Sequence, residues 1–347
     1  MILMDHQIFY NQFYGGISRI FIELLQNESD YYRLPNIFHK NRYLLPIKKC
    51  YYLGRLLHLD HDNLKKINEK TIEKLFLNGD FDVVHATYFD CDYLIKAKIP
   101  YVLHVYDMLI TVSDDDLLKE KFDRAVSHAK KLIFISNFTQ DEFYKKYKHL
   151  NQPSCVIYLG VNEVFYEKKS DLNKIDLNKI RIGYSGVRAG HKNFKFVVDS
   201  LRSSPYSKNI MLYCFGGGRF NTNEKKYIKE SGLKVLRYRG DDKKLLKFYR
   251  SLDVFIFPSL VEGFGIPPLE AMAMGIPLLA SNRASIPEVC REGAIYFNPE
   301  DSISLQSAFK SFLDQSNQEE IIQTGINVSR KYNWLSSCNN IRKFITD

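Results

Sequence analysis

The chain has 347 residues, of which 45% are hydrophobic and 14% aromatic, and it carries a net charge of +9. That length suits two domains of ordinary size, and the composition excludes a disordered, fibrous or repeat protein. No apolar run approaches the ~20 residues that cross a bilayer, and Asp5 and His6 break the only apolar start, so a cytosolic protein without a signal peptide is expected.

The charge is uneven. Residues 1–165 hold 21 Lys or Arg against 21 Asp or Glu, and residues 166–347 hold 28 against 19. A basic second half suits a polyanionic nucleotide, although solubility alone explains it as well. No helix-turn-helix, zinc-finger or RNP-like motif accompanies the charge, so nucleic acid is not an expected partner. Cysteines 50, 91, 155, 214, 290 and 338 form no C-x-x-C pair and no metal-ligand spacing with the nine histidines, which reads as free, mostly buried thiols.

In chain order, Ile2 to Asp5 reads as a strand, and Gly15-Gly16 leads into an apolar-periodic helix ending near Gln26. The turn Gly15-Gly16-Ile17-Ser18-Arg19 either presents amides to an anion or simply connects two elements. Residues 31–74 carry 10 Lys or Arg against 4 Asp or Glu, interleaved with Tyr31, Tyr32, Phe38, Tyr43, Tyr51 and Tyr52. Such a surface suits weak contact with the anionic inner membrane; the plainer alternative is a helical subdomain with a solvated basic face. Strands at 82–85, 101–104, 132–135 and 156–158 then alternate with helical patterns, the signature of a parallel sheet. Ligands bind such sheets beyond the C-terminal strand ends. His85, His104, Tyr106, Asp107 and Ser136 fall there, and a satisfied core histidine is an equal reading for His85 and His104.

Residues 162–178 turn polar and read as a linker before a second series of strands, RIGYSG, NIMLYCFGGG, KVLRYRG, LDVFIFPS and IPLLAS. After its first strand, Arg188 and Lys192 flank a helix start, where two cations can neutralise a diphosphate. The most informative stretch is Phe257 to Ser281, FPSLVEGFGIPPLEAMAMGIPLLAS. Glu262 precedes a loop in which Gly263 and Gly265 let backbone amides approach a ligand, Pro267-Pro268 open a helix, and Gly275 ends it. Glu270 is expected in the first turn of that helix, where a carboxylate accepts hydrogen bonds from paired hydroxyls such as those of a ribose.

Glu262, seven residues and Glu270, in the context EGFGIPPLEAMAMGIP, resemble the signature of retaining glycosyltransferase family 4, bacterial surface-polysaccharide type. The resemblance implies the GT-B fold: an α/β chain of two doubly wound Rossmann-like domains facing across a cleft, here 1–165 on the acceptor side, 166–330 for the nucleotide sugar, and a C-terminal helix at 331–347 crossing back, with Trp334 as an anchor. It implies that Glu262 contacts the transferred sugar, that the backbone of Gly263, Phe264, Gly265 and Ile266 holds sugar and phosphate, and that Glu270 holds the ribose. Arg188 and Lys192 resemble the family's R-x-x-x-K diphosphate clamp, and Gly15-Gly16 its N-terminal GG-x-x-R element. The family's T-x-H-D loop reads His104-Val105-Tyr106-Asp107 here, so Tyr106 stands at the His position; His104 and Tyr106 share a strand face, and either one contacts the sugar.

The expected function is metal-independent, retaining transfer of a mannose- or glucose-like hexose from GDP-mannose or a UDP-hexose to a hydroxyl of a lipid-linked or oligosaccharide acceptor, as in O-antigen or capsular polysaccharide assembly. No cofactor is expected beyond this donor. Two alternatives stand beside it: a catalytically silent nucleotide-sugar-binding subunit of an assembly complex, and an inverting enzyme or epimerase using His85 or His104 as base.

Overall fold

The strand segments of this protein are short, β-branched and aromatic, and those in the middle of each sheet are mostly buried, as in parallel sheets covered on both faces. The computed structural model describes residues 1–46, 61–166, 175–314 and 318–347. The chain divides into two units, residues 1–159 with 334–347, and residues 160–333.

In the first unit, β1 (Ile2–Met4), β2 (Tyr32–Arg33), β3 (Val83–Ala86), β4 (Tyr101–Val105), β5 (Lys131–Phe134) and β6 (Ser154–Val156) form a parallel sheet in the order β2-β1-β3-β4-β5-β6. Val84, Leu103, Val105, Leu132 and Phe134 pack with Phe122 and Phe143 of the flanking helices. Each such side chain contributes on the order of 2 kcal/mol through burial. The last helix, Trp334–Thr346, packs on this unit: Ser337 Oγ donates to the Tyr158 carbonyl at 2.7 Å and Arg342 Nε to Glu28 at 2.8 Å.

The second unit repeats the plan with β7 (Ile180–Ser185), β8 (Ile210–Phe215), β9 (Lys234–Tyr238), β10 (Val254–Phe257), β11 (Leu278–Ser281) and β12 (Ile295–Phe297). Its parallel order is β12-β11-β10-β7-β8-β9. The chain runs outward from β7 through β8 to β9, then returns to the other side of β7 for β10. The two loops that leave β7 and β10 therefore diverge, and this reversal of strand order opens a crevice at the C-terminal strand ends.

Of the basic, aromatic stretch 31–74, residues 47–60, including Tyr51 and Tyr52, lie outside the described residues. Within the rest, Tyr32 is buried, its hydroxyl 3.1 Å from His85 Nδ1, because it belongs to β2 and not to a surface. Cys91, Cys155, Cys214, Cys290 and Cys338 are free thiols, buried except for half-buried Cys155; Cys50 lies outside the described residues. Among the described residues no helix is long and apolar enough to cross a membrane.

Candidate functional site

The crevice between β7 and β10 brings two of the sequence-derived candidates together. Lys192 comes from the loop after β7 and Glu262 from the loop after β10, and Lys192 Nζ donates to Glu262 Oε1. The side chains are 22% and 13% exposed, so the pair is largely shielded yet open on one side. Lys192 Nζ also lies 5.7 Å above the Phe257 ring, a favourable seat for a cation. Two contacts set the geometry of its loop. Buried Tyr184 donates to the Val187 carbonyl at 2.6 Å and the Lys192 carbonyl at 3.1 Å, and the Leu260 amide donates to the His191 carbonyl at 2.8 Å, tying the two loops together. Lys192 stands two residues before the helix Phe194–Arg202, as the sequence suggests.

Arg188, expected with Lys192 as half of a diphosphate clamp, is placed differently from Lys192. Its side chain is 1% exposed and its guanidinium points into the unit. Nε donates to Glu224 Oε1 at 3.0 Å, Nη1 to the Gly216 carbonyl at 3.1 Å, and Nη2 to the Gly217, Gly218 and Arg219 carbonyls at 2.9, 3.2 and 3.2 Å. The Phe220 ring caps it at 4.6 Å. The planar guanidinium thus collects the carbonyls of a loop in which Gly216, Gly217 and Gly218 all have positive φ. A Cβ on Gly217 would lie 2.3 Å from the Gly186 carbonyl oxygen, so only glycine fits there. The reason for the difference is the carboxylate of Glu224, which both caps its own helix with Asn221 and neutralises Arg188. The glycine triplet after a strand was a readable sign of a special loop; its pairing with Arg188 was not.

Gly265, with φ +101°, caps the helix Ile266–Ala273, and Gly275, with φ +68°, follows its end. Phe264 is buried, with its ring edge-on to Tyr332 at 5.7 Å, and it holds the Gly263–Gly265 segment against the unit. Since the helix starts at Ile266, Glu270 lies in its second turn and not in the first. Glu270 is buried and accepts a hydrogen bond from the Tyr249 hydroxyl at 2.9 Å. Tyr249, from the helix Asp242–Arg250, carried no sequence signal for this role.

Gly15, Gly16, His104 and Tyr106 belong to the first unit. Gly15 caps the helix Gly16–Asn27 with an extended backbone, and the Gln12 side chain accepts from the Ser18 amide at 3.4 Å. His104 is 2% exposed, with its ring 4.8 Å from His85, 5.7 Å from Phe21 and 5.8 Å from Tyr106, and neither of its nitrogens has a hydrogen-bond partner among the described residues. Burial pushes its pKa down to about 3, and burial with the neighbouring His104 holds fully buried His85 well below the usual histidine range. The Tyr106 hydroxyl donates to the Thr87 carbonyl at 3.1 Å. Ser136 caps the helix Asn137–Lys146 and Asp107 accepts from the Leu109 amide, both local structural roles. Among the described residues no cluster of His, Cys, Asp or Glu is arranged to hold a metal ion.

Residues 165–327, the strands and loops just described, match the family model for glycosyl transferases group 1. The match lies within the C-terminal unit, residues 160–333, and covers just under half of the chain. The chain is 29% identical over 191 residues to the O-antigen chain mannosyltransferase RfbU of Salmonella typhimurium, 54% of this chain and 52% of that protein. It is 22% identical over 230 residues to O-antigen chain mannosyltransferase B of Escherichia coli, 62% of this chain and 60% of that protein. The matched region thus spans between half and two thirds of these curated relatives. Among solved structures, Anabaena Alr3699/HepE in complex with UDP-glucose aligns with a TM-score of 0.78 at 18% identity over 99% of both chains. WaaG, a glycosyltransferase involved in lipopolysaccharide biosynthesis, aligns with a TM-score of 0.72 at 16% identity over the whole of both chains. These likenesses show that the chain has the GT-B fold.

Proposed function

We infer that this protein transfers a hexose from a nucleotide sugar to a hydroxyl of a glycan acceptor, with retention of anomeric configuration, in the assembly of a bacterial surface polysaccharide. One observation carries the reading. Lys192 and Glu262 pair at the strand-order reversal of a group 1 unit, where a cation and a carboxylate stand ready for the two charges that a departing nucleotide creates. In this reading Lys192 neutralises the leaving diphosphate, while Glu262 faces the sugar as it gains positive charge. The Gly263–Ile266 segment offers backbone groups to the sugar and phosphate, and Glu270, steadied by Tyr249, takes the ribose hydroxyls. Arg188 acts at one remove, by shaping the Gly216–Gly218 loop.

The buried, weakly basic His85 and His104 support a route without a side-chain base, in which the leaving phosphate accepts the proton of the attacking hydroxyl. Mannose is the hexose favoured by the two O-antigen mannosyltransferase relatives. Calorimetry with GDP-mannose and UDP-hexoses, followed by transfer assays with the donor that binds, tests the reading. Tight binding of one donor with transfer to a saccharide hydroxyl is expected; binding without any transfer or hydrolysis would make the chain a silent subunit.

A further inference from the structure

Glu262 is restrained from two sides. Its carboxylate is held by Lys192, from the loop after β7. Its backbone is held by Ser285, from the loop after β11, the strand on the other side of β10. Ser285 is fully buried, and its Oγ donates to the Glu262 carbonyl at 2.8 Å, with the Phe264 carbonyl at 3.3 Å as a second acceptor. One hydroxyl thus closes the turn Glu262–Gly263–Phe264 from below. The chain takes some trouble to put it there. Ala284, immediately before it, has φ +56°, a left-handed conformation that a residue with a β-carbon adopts at a cost. Ser285 is then anchored by the buried Ile286 and Cys290 of the helix Ile286–Cys290, and its own carbonyl accepts from the Val289 amide at 3.0 Å.

We propose that Ser285 is a positioning residue for the transfer reaction, fixing the backbone from which Glu262 reaches the transferred sugar. The proposal rests on the reading of Glu262 given above. A carboxylate that stabilises a developing positive charge works only from a fixed distance, and a displacement of ~1 Å in such a group costs on the order of a hundredfold in rate. Lys192 alone does not fix Glu262, because once the donor's diphosphate draws the lysine away, the carboxylate keeps its place only through its backbone. Ser285 supplies that restraint without touching donor or acceptor. The ribose-binding Glu270 sits in the helix, beyond Gly265, and does not depend on it.

A double-mutant cycle tests this. Ser285→Ala, Glu262→Gln and the double variant are compared by steady-state transfer kinetics, with thermal midpoint and nucleotide diphosphate affinity as controls on the fold. Ser285→Ala is expected to lower kcat by roughly tenfold or more with donor KM within about threefold of the original, because only the transition-state contact is disturbed. In the Glu262→Gln background the same change should cost less than about twofold, since there is no carboxylate left to place. Ser285→Cys, which keeps a weak donor, should recover part of kcat. A Ser285→Ala defect of equal size in both backgrounds, tracking a lowered thermal midpoint, would overturn the proposal and leave Ser285 a packing residue. If Ser285→Ala keeps full kcat while Glu262→Gln is impaired, the proposal alone fails. If Glu262→Gln is fully active, the reading of Glu262 fails and the proposal goes with it.

Discussion

Lys192 and Glu262 are 70 residues apart in sequence and form an ion pair because β7 and β10 are neighbours in the sheet. A carboxylate and an ammonium that neutralise each other at rest cost little to keep in a half-shielded crevice. In the proposed reading an arriving diphosphate gives the same lysine a stronger partner and leaves Glu262, held in place by its backbone, facing the sugar. Replacing Lys192 by Ala should therefore lower kcat/KM by roughly a hundredfold or more, the usual loss for one preorganised electrostatic donor. A kinetic comparison of the two proteins checks it, and a change below threefold would remove Lys192 from the site.

The proposed reading assigns the positive charge to Lys192 and to backbone amides, so transfer should persist in the presence of EDTA. Activity lost on chelation and restored by magnesium or manganese would show that a cation, not this lysine, carries the leaving group.

The two glutamates should fail differently. In the proposed reading Glu270→Gln removes a contact to ribose hydroxyls that do not change in the reaction, so donor KM should rise with kcat nearly kept. Glu262→Gln should lower kcat and leave free nucleotide diphosphate binding nearly unchanged. Calorimetry on both variants decides the matter. Weaker nucleotide binding by the Glu262 variant than by the Glu270 variant would reverse the roles.

Arg188 should behave as a residue of the fold. Removing one member of a buried ion pair leaves the other uncompensated, at a cost of about 3–5 kcal/mol. Arg188→Met should lower the denaturant midpoint accordingly, and Arg188→Lys should not restore it, since one ammonium cannot serve Glu224 and four carbonyls in a plane. Full stability in the Met variant would contradict the burial of the guanidinium.

Three buried histidines make stability depend on pH. Burial is the main cause that pushes His6 and His104 down to about 3, and it holds His85 well below its ordinary value of 6.5. The unfolded chain takes up these protons below pH 6.5 and the folded one does not, so stability is lost as pH falls from 6.5 toward 3, by up to about 1.4 kcal/mol per group and pH unit. Asp5 opposes this: burial, the largest influence on it, raises its pKa to about 6, so the folded state gains between pH 6 and its ordinary 3.8. Three losses against one gain leave a net decline. Urea midpoints at pH 7 and 5 should show it, with a shallower fall in His104→Phe; a flat profile would mean that these rings are accessible to water.

The sequence was legible where local rules acted alone. Strand alternation revealed both sheets, and Pro267, Pro268 and Gly275 bounded their helix to within a residue or two. The short β2 and β12 escaped because two- or three-residue edge strands carry almost no periodicity. The site was legible as a list of residues, not as an arrangement. Arg188 reads as half of a diphosphate clamp until Glu224, 36 residues later, is seen to claim it, and Ser285 carries no local signal before β11 is set beside β10. Such pairings depend on strand order, which no short window of sequence contains.

The most direct test of the central claim is the anomeric configuration of the first product, followed by proton NMR from the start of the reaction with an α-linked nucleotide hexose. With His85 and His104 buried, the proposed route without a side-chain base predicts the α-glycoside from its first appearance. A β-glycoside would contradict the account, since it requires attack from the opposite face with a side-chain base that this reading does not provide.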